Sequence, residues 1–124
     1  METINLPPDA FAKECASRVV LDRIGDRWTV LLVVALSGGA LRFSQLRTKI
    51  EGITPKVLTQ TLRAMERDGL LTRTVFAQVP PRVDYALTDL GVSLGGPIAV
   101  LTDWAEAHVG RIVAARDDFE AQGA

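Results

Sequence analysis

Five side chains that end in hydrogen-bonding groups, Lys56, Thr59, Gln60, Arg63 and Arg67, recur along the stretch PKVLTQTLRAMERDG, which runs from Pro55 to Gly69. At helical spacing they share an arc of about 100°, with Leu58, Thr61, Leu62 and Met65 on the other side. No acid lies within that arc. Gln60 can pair through two hydrogen bonds with adenine and Arg63 with guanine, while Thr59 can touch a base or a thymine methyl. Lys56 and Arg67 sit at the ends of the stretch, where phosphates are the natural partners. Thr54 stands at its head and is grouped with them. An ordinary solvated helix face would also be polar; the missing acids favour the reading of base-pair edges.

Other chemistries lack their residues. With one His (His108) and one Cys (Cys15) in the chain, the usual ligand clusters of a metal site are hard to assemble. No Gly-rich phosphate loop and no nucleophile motif is present, and Gly38-Gly39 and Gly95-Gly96 read as a turn and a break. The expectation is a protein that is no enzyme and carries no metal or cofactor.

Charge points the same way as the arc. Between Arg42 and Arg82 eight basic residues stand against three acids, a balance of +5 inside a chain of net charge −1. Residues 1–41 hold four bases and five acids, and residues 83–124 hold two and seven. A basic island between acidic flanks is the footprint of a nucleic-acid surface. At 124 residues and 48% hydrophobic residues the chain is expected to be one domain with a core, since domains commonly hold about 100–150 residues. No run approaches the roughly 18 apolar residues of a membrane helix. The opening METINLPPDAF has no secretion-signal pattern.

These side chains need elements to carry them. Residues 1–8 read as a loose arm ending at Pro7-Pro8. Asp9 can cap a helix to about Ile24, and a second runs from Asp26 to Leu36 with Trp28, Leu31, Leu32 and Ala35 on one stripe. A very short strand over 40–43 and a short helix over 44–50 follow. Thr54 is a good N-cap, Pro55 suits the first helical position, and Gly69 suits the position just past the end. Residues 70–77 and 83–87 read as strands, joined by a tip at Gln78–Arg82 that Pro80-Pro81 stiffens. Thr88 caps a last helical region that Gly95-Gly96-Pro97 should break or bend. The order gives an α+β, mainly α, winged helix-turn-helix with extra helices at both ends. Arg82 at the wing tip, with Arg42 and Arg73 on its flanks, is a further candidate for the DNA backbone or minor groove.

From Cys15 to about Trp104 the chain resembles the HxlR family of bacterial winged-helix transcriptional regulators. The resemblance rests on "IGDRWTVLLV" (24–33), "LRFSQLRTKIEGITPKVLTQTLRAMERDGLLTR" (41–73), "VPPRVDYALTDLG" (79–91), a Cys in the first helix and the later Trp104. It implies a cytoplasmic homodimer on two-fold related DNA sites, with 54–68 as recognition helix and 79–82 as wing tip. It also implies dimerisation through the first and last helices, set at 9–24 and 89–116 around a DNA-binding core at 42–87. The chain departs from the family in having Ala16, where many members have Pro, and Gly95-Gly96 before Pro97.

Apolar surplus at both ends supports a dimer independently, because such patches mark interfaces. Phe11, Cys15, Val19, Ile98, Leu101 and Trp104 are its candidate residues. In some family members a cysteine at this place senses oxidants, so the resemblance makes Cys15 a candidate thiol sensor. Phe11 and Val19, four residues either way, place it on an apolar stripe, where burial would make the thiol inert. The partners expected are operator DNA, a second copy, and an effector, small-molecule or redox. The alternative from another class is a winged-helix module that binds protein and not DNA.

Overall fold

The computed structural model describes residue 11 and residues 16–123. The loose arm, the beginning of the expected first helix and Cys15 lie outside the described residues. The chain order is α1 (Ala16–Ile24), α2 (Arg27–Leu36), β1 (Leu41–Arg42), α3 (Phe43–Lys49), α4 (Pro55–Arg67), β2 (Leu71–Phe76), β3 (Arg82–Leu87), α5 (Asp89–Ser93) and α6 (Gly95–Ala121).

Local chemistry accounts for the boundaries. Asp26 starts α2 by accepting the Trp28 amide at 3.0 Å. Because α2 carries Leu32, Val33, Ala35 and Leu36 in its second half, it runs through the interior. Around it Leu46 of α3, Leu58, Leu62 and Met65 of α4, Leu71 of β2 and Ile98 of α6 close one buried cluster. Ile50 and Ile53, on either side of Gly52 (φ 86°), are also buried and pin the turn between α3 and α4. Gly52 tolerates that left-handed backbone where a side chain would strain it.

The three strands form one antiparallel sheet in the order β1-β3-β2. Leu41 faces Tyr85, and the hairpin aligns Leu71 with Leu87 and Phe76 with Arg82, leaving residues 77–81 as the tip. The last helical region divides. α5 is capped by Thr88 and stops at Leu94, and α6 then runs through 27 residues. The division falls where Gly95-Gly96-Pro97 was expected to break the helix. Pro97 lies in the first turn of α6, where no amide donor is needed. The end lies at Ala121, beyond the expected 116.

Candidate nucleic-acid interface

α4 is fixed at both ends. The Thr54 hydroxyl accepts the Val57 amide at 3.2 Å, with Pro55 in the first turn. At the other end the Leu70 amide donates to the Met65 carbonyl at 2.9 Å and the Gly69 amide to Glu66 at 3.0 Å. This double closure requires a left-handed residue, supplied by Gly69 at φ 76°. Leu58, Thr61, Leu62 and Met65 anchor the inner face. Thr54, Lys56, Thr59, Gln60, Arg63 and Arg67 are all exposed, as an outward-facing arc requires. Among the described residues Lys56, Arg63 and Arg67 form no ion pair, so their charges face solvent uncompensated.

The arginines beside the helix divide between the two faces of the sheet, because alternate residues of a strand point opposite ways. Arg42 and Arg82 share a face with Asp84, opposite Arg42 in the register. Arg82 donates from Nε and Nη2 to the two Asp84 carboxylate oxygens, both at 2.9 Å, and lies over the Phe76 ring at 5.1 Å. The hydrogen bonds from Arg82 hold the Asp84 carboxyl below its ordinary value, and Asp84 in turn raises the guanidinium. Arg82 is therefore clamped to its own strand with its Nη1 edge left over, rather than projecting beyond the proline tip.

Arg73, aligned with Tyr85, occupies the other face and approaches Glu66 of α4 at 3.7 Å. Burial, the largest influence on the half-buried Tyr85 phenol, raises its pKa, with Arg73, Glu66 and Arg63 acting on it electrostatically. Glu66 and Asp84 are site neighbours that the sequence reading passed over. The Arg82-Val83-Asp84 spacing was the available signal for one of them, since residues two apart on a strand lie side by side.

Of the expected interface residues, Leu101 and Trp104 on α6 are 63% and 56% exposed, and Val19 on α1 is 63% exposed. Phe11 is exposed as well. Ile98 departs from the expectation: it is 3% exposed and packs into the chain's own core. His108 stacks on Trp104, with ring centroids 4.4 Å apart, and its Nδ1 meets the Trp104 carbonyl at 2.8 Å. Among the described residues no helix is long and apolar enough to cross a membrane.

A turn-linked helix pair whose outer helix presents donors, followed by a two-stranded wing, defines a winged helix-turn-helix DNA-binding protein. The profile of the HxlR-like helix-turn-helix family matches residues 23–113, and the chain belongs to that family. It is 46% identical over 108 residues to the HTH-type transcriptional regulator YtfH of Escherichia coli, covering 87% of this chain and 86% of that one. The solved structure of the transcriptional regulator YtfH from Salmonella typhimurium superposes with a TM-score of 0.82 at 43% identity, covering 90% of this chain and 99% of that one. The redox regulator HypR in its oxidised form gives 0.69 at 36% identity, covering 75% and 96%. The protein is thus a DNA-binding transcriptional regulator of a family that is not enzymatic.

Proposed function

We propose that two copies of this chain, acting in the cytoplasm, bind a pseudo-palindromic operator, each laying α4 in the major groove and its hairpin beside the adjoining backbone. The observation that carries the reading is the outer arc of α4, all exposed donors without an ion-pair partner on a helix locked at both ends. Gln60, Arg63 and Thr59 read bases, while Thr54, Lys56 and Arg67 hold phosphates. Arg42, Arg73 and Arg82 contact the backbone from the wing and its flanks. The whole chain works as one domain, residues 42–87 contacting DNA and the helices within 9–24 and 89–116 pairing the copies. Exposure of Val19, Leu101 and Trp104 supports that pairing. Half-sites about 10 base pairs apart, or a multiple, follow from one face of the duplex meeting both helices.

Selection from a random duplex pool, then titration of the selected site against salt, tests this. A two-fold related motif is expected, with log affinity falling steeply against log salt for about six to ten phosphate contacts. No enrichment at low salt, or affinity indifferent to salt, would refute it.

A redox effector is the second reading, favoured by the likeness to HypR, which is a redox regulator. Cys15 is the only thiol in the chain. Diamide treatment is expected to change operator binding in the native protein and not in Cys15→Ser. Unchanged binding, with the thiol unmodified by mass spectrometry, would leave Cys15 a packing residue.

A further inference from the structure

Away from the DNA-facing arc, a cleft of about 510 Å³ opens between α1, the exit of α4 and the α5–α6 corner. Val19, Val20, Ile24, Leu70, Leu90, Leu94 and Pro97 make its apolar walls, and Val19 stands where the cleft borders the face proposed to pair the copies. That volume is far beyond a packing void and falls within the roughly 300–1,000 Å³ of small-molecule sites. Its polar edge is small and internally balanced. Arg23 donates to Asp68 at 2.9 Å, so the two charged groups that line the cleft pair with each other. The Ser93 hydroxyl spends its proton on the Leu90 carbonyl at 2.5 Å and can only accept from a guest.

We propose that this cleft is a binding site for a neutral, mostly apolar small molecule carrying one hydrogen-bond donor, and that its occupation weakens operator binding. An anion would meet Asp68, and a cation would meet Arg23; a neutral body satisfies the walls without an unpaired charge. The site is concave and drawn from four elements, whereas the apolar stripe of α6 from Leu101 to Phe119 is a convex helix face suited to a second helix. The link to DNA is short. Asp68 is the C-cap of α4, and Arg23 ties it to α1. A guest wedged against Arg23 and Leu70 pushes on the trailing end of the helix that faces DNA. The coupling rests on that assignment of α4; the binding does not.

Fluorescence titration of the full chain with 2-naphthol tests the site, with 2-naphthoate as the charged match. Saturable binding at one probe per chain is expected, at least tenfold weaker for 2-naphthoate. Leu90→Trp and Ser93→Phe, which fill the cleft from its exposed rim, should each weaken 2-naphthol at least tenfold while circular dichroism stays native. Val34→Trp, in a groove on the far side of α2, should not. A non-saturating signal, as when a second copy already fills the cleft, overturns the proposal, and so does equal binding by the filled variants. Saturating 2-naphthol should lower operator affinity about fivefold or more in the native protein. In Arg23→Gln the probe should still bind, with that effect reduced. Operator affinity unmoved by a bound probe overturns the coupling.

Discussion

A single hydrogen atom decides position 91. A methyl group on Gly91 would lie 2.0 Å from the Leu70 carbonyl oxygen, so α5 could not dock where it does. Gly91→Ala is expected to cost about 1–3 kcal/mol or more, seen as a lower urea midpoint at unchanged slope. The sequence shows Thr88 as a cap three residues before that glycine, which is local chemistry. The contact that demands the glycine comes from a residue 21 positions earlier, and no local pattern carries it. Asp84 yields a second expectation. Its carboxyl titrates lower in the folded chain than in the unfolded one, chiefly through the Arg82 hydrogen bonds. A depressed acid contributes stability that is present above its unfolded value and lost as pH falls through the folded one. The Arg82–Asp84 clamp should therefore hold at neutral pH and open only below about pH 4. Carbon-detected NMR should place the Asp84 midpoint below that of a free aspartate, and Arg82→Gln should return it there.

At the scale of the element, the proposed roles on α4 divide along its length. Arg63 sits mid-helix on the exposed arc, so Arg63→Ala should weaken the selected operator by about 1–3 kcal/mol and relax preference at one base pair. Lys56 lies in the first turn, so Lys56→Ala should weaken every sequence alike and lower the salt slope by about one. Native affinity in both variants would remove α4 from the interface. This helix was almost fully legible. Thr54, Pro55 and Gly69 mark its ends by backbone chemistry alone, and the 3.6-residue period separates Leu58, Leu62 and Met65 from the polar arc. The wing was legible as two strands and a tip, and the two-residue spacing of Arg82 and Asp84 carried one ion pair, but the partner of Arg73 was not legible. Glu66 meets Arg73, and Arg23 meets Asp68, across separations that only the folded chain closes.

For the whole molecule, the apolar stripe of the last helix serves two ends. Ile98 belongs to the interior, whereas Leu101 and Trp104, three and six residues beyond it, face outward. Periodicity gives the stripe but not the point at which a helix leaves its own core, which is why Ile98 read as an interface residue. The two kinds of position should part in experiment. Ile98→Ala should lower folding stability by about 2–5 kcal/mol through the cavity it leaves. Trp104→Glu should leave the fold intact and shift light-scattering mass from dimer toward monomer. A native chain that is monomeric at micromolar concentration would count decisively against the pairing.

Leu70 is where these scales meet. Its amide closes α4, its carbonyl receives the Thr88 amide at 3.0 Å and touches Gly91, and its side chain walls the cleft. It also stands one residue before the first strand of the wing. The molecule therefore has a knuckle rather than a string of independent joints. A shift at Leu70 must turn α4, the root of the wing and the start of the last helices together. Insertions in the exposed tip at 77–81 change reach alone, whereas one residue added between Gly69 and Leu71 would throw all three out of alignment at once.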